Sequence, residues 1–155
     1  MLIRDFEPAD ADALAILFHA SVRQVGIRDY SPKQVAAWSP SKPSADRYLR
    51  QAEGRTFLVA VDDDGMIAGY GDLEPNGHID HLYCRPDAVG TGIGSAIYAA
   101  LEEAARNAGI TILFVEASEG ARRLFERRGF KVDARNDFTI DGVAIHNYHM
   151  SKLIA

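Results

Sequence analysis

A run of closely spaced glycines, Val89-Gly90-Thr91-Gly92-Ile93-Gly94-Ser95, is the segment best suited to chemistry. It lies between a predicted strand, 78–84, and a helix predicted to begin at Ile93. Such glycines let backbone amides converge on an anion at a helix N-terminus, so a phosphate is the expected ligand. No lysine follows the last glycine, as a Walker P-loop requires, and the third glycine comes one residue early for a dinucleotide fingerprint. The alternative is a tight connection without a ligand.

The strand before this turn has an irregular apolar pattern. Its apolar residues Ile79, Leu82 and Cys84 are spaced by three and then two positions, whereas a regular strand repeats every two. One extra residue near Asp80 and His81 would bring the three apolar residues onto the same face of the strand. Such an insertion is a β-bulge. The sequence therefore predicts a bulge at this point.

Other reactive residue types carry less weight. Two histidine pairs have a spacing that could suggest metal ligands: His78 with His81, and His146 with His149. On a strand, residues three apart point to opposite faces unless a bulge intervenes, so no metal site is expected. The single cysteine, Cys84, ends a strand between Tyr83 and Arg85, where a packed apolar role is expected rather than a nucleophile.

Composition excludes several classes of protein. The chain has 155 residues, and the expectation is one domain spanning 1–155. It has 17 Lys and Arg residues and 22 Asp and Glu residues, so its formal net charge is −5. A negative net charge disfavours nucleic acid as a partner. One cysteine and no apolar run of membrane-spanning length predict a soluble, cytoplasmic protein without a membrane partner.

Apolar periodicity predicts an alternation of strands and helices. The predicted strands are 2–6, 56–61, 66–70, 78–84, 110–115, 130–132, 138–140 and 143–150. The predicted helices begin at Pro8, Pro32, Ala45, Ile93 and Arg122, and end near Gly26, Trp38, Gly54, Gly109 and Arg128. The apolar run 110–115 predicts a strand buried on both faces in the middle of the sheet.

Three segments together resemble the GNAT superfamily of N-acetyltransferases: Ile79 to Pro86, Gly90 to Gly94, and Ala121 to Phe130. The resemblance covers nearly the whole chain, and Asp29 through Trp38 resembles an uncharacterised bacterial subgroup. It implies an α/β (α+β) fold with a mixed, mostly antiparallel sheet, a central splay and flanking helices.

The resemblance implies that acetyl-CoA is the cosubstrate. The family's phosphate motif begins with Gln or Arg, and Val89 stands there, which removes one side-chain contact and leaves the backbone amides. The residues expected at acetyl-CoA are Leu82, Tyr83, Cys84, Val89, Gly90, Thr91, Gly92, Ile93, Gly94, Ser95, Ser118 and Phe125.

The implied activity is direct acetyl transfer to a primary amine, with a small molecule as the expected acceptor. Asp80 at the bulge is the expected base, and Glu116 is the second candidate. The family's tyrosine acid is replaced by Phe125, and Ser118 replaces an asparagine, so solvent, Tyr83 or Tyr148 would protonate the thiolate.

Tyr30, Trp38 and Asp80 are expected to contact the acceptor, although Tyr30 and Trp38 have an alternative role in lid or core packing. A rival interpretation is a non-catalytic acyl-CoA-binding regulatory domain of the same fold. The sequence leaves open a protein lysine as acceptor, and a homodimer as well as a monomer.

Overall fold

The computed structural model describes residues 1–155, which form seven β-strands and five α-helices. The strands are β1 Leu2–Asp5, β2 Thr56–Val61, β3 Ile67–Leu73, β4 Ile79–Cys84, β5 Ile112–Ala117, β6 Lys131–Ile140 and β7 Val143–Leu153. The helices are α1 Ala11–Gln24, α2 Pro32–Trp38, α3 Ala45–Gln51, α4 Ile93–Asn107 and α5 Glu119–Arg127. Short 3-10 turns occupy Pro8–Asp10, Gly26–Arg28 and Pro86–Ala88.

The strands form two sheets that meet at one point. One sheet has the order β1-β2-β3-β4 and the other β5-β7-β6, with antiparallel pairing inside each. They join through a parallel bridge between His78 and Phe114, where Phe114 N–H donates to Gly77 O at 3.1 Å. Beyond this bridge β4 and β5 are unpaired, so the strands diverge. The predicted mixed, mostly antiparallel architecture with a central splay is confirmed.

The predicted bulge is also present. In the β3–β4 pair, Asp72 lies opposite His81 and Leu73 lies opposite Ile79, so Asp80 is an extra residue on β4. The insertion puts Ile79 and Leu82 on the same packed side of the sheet despite their odd spacing.

The helices cover both faces of the sheets. α4 and α5 contribute Ile97, Leu101 and Phe125 to one buried cluster. α1, α2 and α3 cover the opposite face, where Leu14, Phe18 and Tyr48 belong to a second cluster. This two-sided covering leaves the mouth of the splay between β4 and β5 as the place where a ligand can enter the sheet.

Two predictions about strands are wrong in part. β5 is the edge strand of the β5-β7-β6 sheet and meets the other sheet only at the His78–Phe114 bridge. Its burial alternates: Leu113, Val115 and Ala117 are buried, while Ile112 and Glu116 are exposed, so only one face is covered. The two predicted strands 130–132 and 138–140 are one strand, β6. Its polar middle is tolerated because β6 is the edge of its sheet, paired with β7 alone.

Helix boundaries differ slightly from the predictions. The first helix is preceded by a 3-10 turn and ends at Gln24, and α5 begins at Glu119 rather than Arg122. The earlier start follows from Ser118, whose hydroxyl accepts a hydrogen bond from Ala121 N–H at 3.3 Å as the N-cap. No helix has both the length and the apolar character needed to traverse a membrane.

Candidate active site

The glycine turn opens into the larger of two neighbouring cavities, with a volume of about 500 Å³. Gly90 and Gly92 have φ values of 81° and 92°, in the left-handed region that favours glycine, and an added Cβ at either would meet open space. Ala96 N–H is the first amide of α4 to bond the turn, at 3.0 Å from Gly92 O. The amides of Ile93, Gly94 and Ser95 therefore remain available to an anion.

Positive side chains border the same cavity. Arg28, Arg123 and Arg127 line it, and Arg123 pairs with Asp29 at 2.5 Å. Val89, at the predicted phosphate position, also lines it and is exposed. The arginines and the unbonded amides fit the two charged parts of a coenzyme A molecule, a pyrophosphate and a ribose phosphate.

The smaller cavity, of about 140 Å³, lies at the splay. It shares a boundary with the larger cavity formed by Tyr30, Trp38, Leu82, Tyr83, Ser118 and Ala121. Asp80 and Glu116 face the smaller cavity from β4 and β5, respectively. The splay thus places two carboxylates next to the point where the two cavities meet.

Asp80 is held by an ion-pair network that extends to a buried carboxylate. Arg55 Nη1 lies 2.8 Å from Asp80 Oδ2 and 3.0 Å from Asp72 Oδ2. Asp72 is fully buried, and its Oδ1 also accepts the backbone N–H of His81 at 2.6 Å. The network therefore fixes both the bulge and the direction of the Asp80 carboxylate.

Glu116 is held by a histidine. His78 Nε2 lies 2.7 Å from Glu116 Oε2, and its Nδ1 lies 2.7 Å from Glu74 Oε1. The ring stacks on Phe114 with centroids 4.9 Å apart. Burial opposes protonation of this ring, but the hydrogen bond to Glu74 and the charge of Glu116 outweigh it and raise the pKa of His78.

The two predicted proton donors lie in different surroundings. Tyr83 borders both cavities, and burial raises the pKa of its phenol, so the hydroxyl keeps its proton at neutral pH. Tyr148 lines neither cavity, and its hydroxyl already donates to Glu119 Oε1 at 2.7 Å. That hydrogen bond raises the pKa of Tyr148. The structure therefore brings Tyr83, but not Tyr148, to the junction.

Most of the other predicted contacts line one of the two cavities, and Tyr30, Trp38, Leu82 and Ser118 line both. Tyr30, Trp38, Ser118 and Phe125 all border the smaller cavity. Phe125 is also packed between Phe130 and Tyr98, with centroids 4.9 and 5.9 Å away. Leu82, Cys84, Val89, Gly90, Gly92, Gly94 and Ser95 border the larger cavity. Thr91 and Ile93 complete the turn without lining the cavity.

The histidine pairs do not act as pairs. His78 bonds Glu74 and Glu116, whereas His81 Nδ1 lies 3.1 Å from Asp72 Oδ2. His146 bonds Glu119 at 2.6 Å, and His149 is exposed. The carboxylates near the bulge are close enough together to hold a cation, and the Arg55 guanidinium already lies among them. The absence of a metal stays a prediction.

Three features of the site were not predicted from the sequence: Arg55, Asp72 and the Glu74–His78 pair. Asp72 carried a usable signal, because a carboxylate within the otherwise apolar strand β3 needs a cationic or hydrogen-bonding partner. Arg55 lies in the loop just before β2 and carries no such signal.

Solved structures share this fold. A GCN5-related N-acetyltransferase from Rhodopseudomonas palustris has 34% identity and a TM-score of 0.91, over 99% of this chain and 95% of that one. A phosphinothricin acetyltransferase from Sinorhizobium meliloti, in complex with acetyl-CoA, has 21% identity and a TM-score of 0.77, over 98% and 87%. A splayed mixed sheet with a glycine turn at the start of α4 thus defines a GNAT fold.

Sequence comparison gives the same class. Residues 27–152 match the family described as "Acetyltransferase (GNAT) domain". The uncharacterised N-acetyltransferase YafP of Escherichia coli is 26% identical over 96% of this chain and 93% of its own length. An L-methionine sulfoximine/L-methionine sulfone acetyltransferase of Pseudomonas paraeruginosa is 28% identical over 86% and 81%. The chain belongs to the GNAT acetyltransferase family, and it is an N-acetyltransferase.

Proposed function

We propose that this enzyme binds acetyl-CoA in the larger cavity and transfers the acetyl group directly to the primary amine of a small molecule in the smaller one. The observation that carries the proposal is the junction of the two cavities at Leu82 and Tyr83, with Asp80 and Glu116 beside it. Support for the cosubstrate comes from the acetyl-CoA complex of the similar Sinorhizobium meliloti protein. Support for a small acceptor comes from the relative named for methionine sulfoximine.

Acetyl-CoA would supply a thioester carbonyl for attack by the amine and a thiolate that leaves. The amides of Ile93, Gly94 and Ser95 would bind its pyrophosphate. Arg28 and Arg127 would bind its ribose phosphate. Val89 has no charged side chain, so the backbone amides alone would bind the pyrophosphate at this position. A small cavity beside Leu82 orients the amine toward the carbonyl.

The amine needs help to lose its proton. An alkylamine with a pKa of about 10.4 is about 3.4 units from deprotonation at pH 7, a cost of about 4.6 kcal/mol. Asp80 accepts this proton, directly or through a water, as the amine nitrogen bonds the carbonyl carbon and the carbon–sulfur bond breaks. Solvent returns a proton to the thiolate, whose pKa of about 8.5 makes it a good leaving group. Burial raises the pKa of the Tyr83 phenol, so this hydroxyl is a weaker proton donor than the thiol itself.

A screen of thiol release tests the proposal. The protein is incubated with acetyl-CoA and a panel of amines, amino acids, polyamines and aminoglycosides, while calorimetry follows coenzyme A binding. Turnover of one or more panel members at a rate above that of the protein-free mixture is expected. Binding of coenzyme A without turnover of any acceptor would instead favour the acyl-CoA-binding domain.

A further inference from the structure

The smaller cavity has no cation that could bind an anionic acceptor. Sixteen residues line it, and none of them is lysine or arginine. Its ionisable lining residues include the carboxylates Asp80 and Glu116 and the imidazoles of His81 and His146. His146 Nε2 lies 2.6 Å from Glu119 Oε1, so the Glu119 carboxylate balances any positive charge on this imidazole.

Arginines close to the cavity are paired as well. Arg55 lies within 3.0 Å of Asp72 and Asp80 and 3.7 Å from Glu74, so three carboxylates surround one guanidinium. Arg122 lies 3.3 Å from Glu119 and 3.4 Å from Glu126. A carboxylate on the acceptor would enter a region of negative charge without a partner, which costs free energy.

One side of the cavity is apolar, and the polar side chains Ser118 and Asn147 also line it. Trp38, Phe138, Ile140 and Ile145 line the cavity from α2 and the β6–β7 hairpin. Tyr30 also presents its ring, because its hydroxyl donates to His146 O at 2.9 Å and accepts from Glu119 N–H at 3.0 Å. A volume of about 140 Å³ is close to that of an apolar cavity of about 150 Å³ known to admit benzene.

We infer that the acceptor is a primary amine on a short arm carrying a ring-sized apolar group, and that it bears no carboxylate or phosphate. This inference rests on the proposed function, which it narrows to arylalkylamines. The carboxylates Asp80 and Glu116 attract the ammonium end, and the Trp38 and Phe138 wall receives the ring.

A matched pair of acceptors tests the inference. Phenethylamine and phenylalanine differ only in the α-carboxylate, and kcat/KM for each is measured by thiol release from acetyl-CoA. We expect at least about a 100-fold preference for phenethylamine, the effect of one unpaired charge in a small pocket. Basicity does not produce this preference, because the α-ammonium of a free amino acid loses its proton at least as easily as an alkylammonium with a pKa near 10.4.

A substitution at Ile140 supplies the second readout. Ile140→Arg adds the missing cation at a partly exposed position near the hairpin turn, and Ile140→Met is its apolar control. Ile140→Arg should reduce the phenethylamine preference at least about tenfold, whereas Ile140→Met should keep it. Thermal unfolding of both variants establishes that they fold.

The outcomes separate the two proposals. Turnover of phenylalanine, methionine analogues or aminoglycosides at a kcat/KM equal to or above that of phenethylamine overturns the inference and leaves the proposed function standing. An unchanged preference in a folded Ile140→Arg variant also overturns it. Coenzyme A binding without turnover of any amine overturns both.

Discussion

Glu116 and His78 lie 2.7 Å apart through Oε2 and Nε2, across the bridge that joins the two sheets. The same ring reaches Glu74 through Nδ1, so one imidazole links a carboxylate at the acceptor cavity to another beyond it. His78 therefore positions the second candidate base and also ties β5 to the segment that precedes β4. This double role makes stability at the splay sensitive to pH.

Replacing His78 should destabilise the protein more in acid than in alkali. The folded state raises the pKa of His78 above the value of about 6.5 expected in the unfolded chain, so its contribution is complete below about pH 6.5. That contribution is lost as pH rises through the folded-state pKa. His78→Gln should lower the free energy of unfolding by about 1–2 kcal/mol at pH 5.5, and the deficit should narrow by pH 9.

Urea denaturation at several pH values measures this deficit. His149→Gln is the control, because His149 is exposed and takes no part in the hydrogen bonds that His78 makes to Glu74 and Glu116. A deficit for His78→Gln that stays constant or grows with pH would contradict the assignment of a stabilising imidazolium.

A charge at the glycine turn should abolish cosubstrate binding. Gly92→Glu places a carboxylate against the expected pyrophosphate, and like charges in contact cost several kcal/mol, at least about 100-fold in affinity. Gly92→Ala is the matched control, since both substitutions share the strain of a φ of 92° and an added Cβ meets no neighbour. Calorimetry with coenzyme A should detect binding for Gly92→Ala and none for Gly92→Glu. Unchanged affinity in a folded Gly92→Glu protein would remove the turn from the binding site.

Local sequence pattern predicted the parts of this site that depend on neighbours in the chain. The spacing of Ile79, Leu82 and Cys84 was enough to place a bulge, because strand periodicity is a property of a few consecutive residues. The helix predicted to begin at Pro32 is likewise present, and the hydroxyl of its N-cap, Ser31, accepts from Gln34 N–H at 3.1 Å.

Contacts between residues that are far apart in the sequence could not be predicted from that local pattern. Arg55 meets Asp80 only because β2, β3 and β4 lie side by side, although the two residues are 25 positions apart. The apolar run at β5 predicted burial on two faces, but burial alternates along the strand and only one face is covered. A splay depends on how two sheets are arranged, so it cannot be predicted from the sequence of any single strand.

Removal of the Cys84 thiol should leave most of the activity. Burial raises the pKa of Cys84 to about 11, about four units above neutral pH, so the nucleophilic thiolate is scarce. Cys84→Ala should therefore retain a similar kcat, and initial-velocity plots should intersect, as direct transfer requires. Mass spectrometry after incubation with acetyl-CoA should find no acetylated cysteine. Parallel double-reciprocal plots together with an acetyl group on Cys84 would establish a covalent intermediate instead.

The identity of the base is decided by two isosteric substitutions made in parallel. Asp80→Asn keeps an oxygen that can accept from Arg55 but cannot take a proton from the amine, so kcat/KM should fall about 10²-fold or more. The acidic limb of the pH–rate profile should disappear with it, because that limb records protonation of the base. Glu116→Gln should lower the rate less and keep the limb, and Asp64→Asn, in the exposed β2–β3 turn, should change neither. If Asp80→Asn keeps full activity and an unaltered profile while Glu116→Gln loses both, the proton goes to Glu116, with His78 behind it.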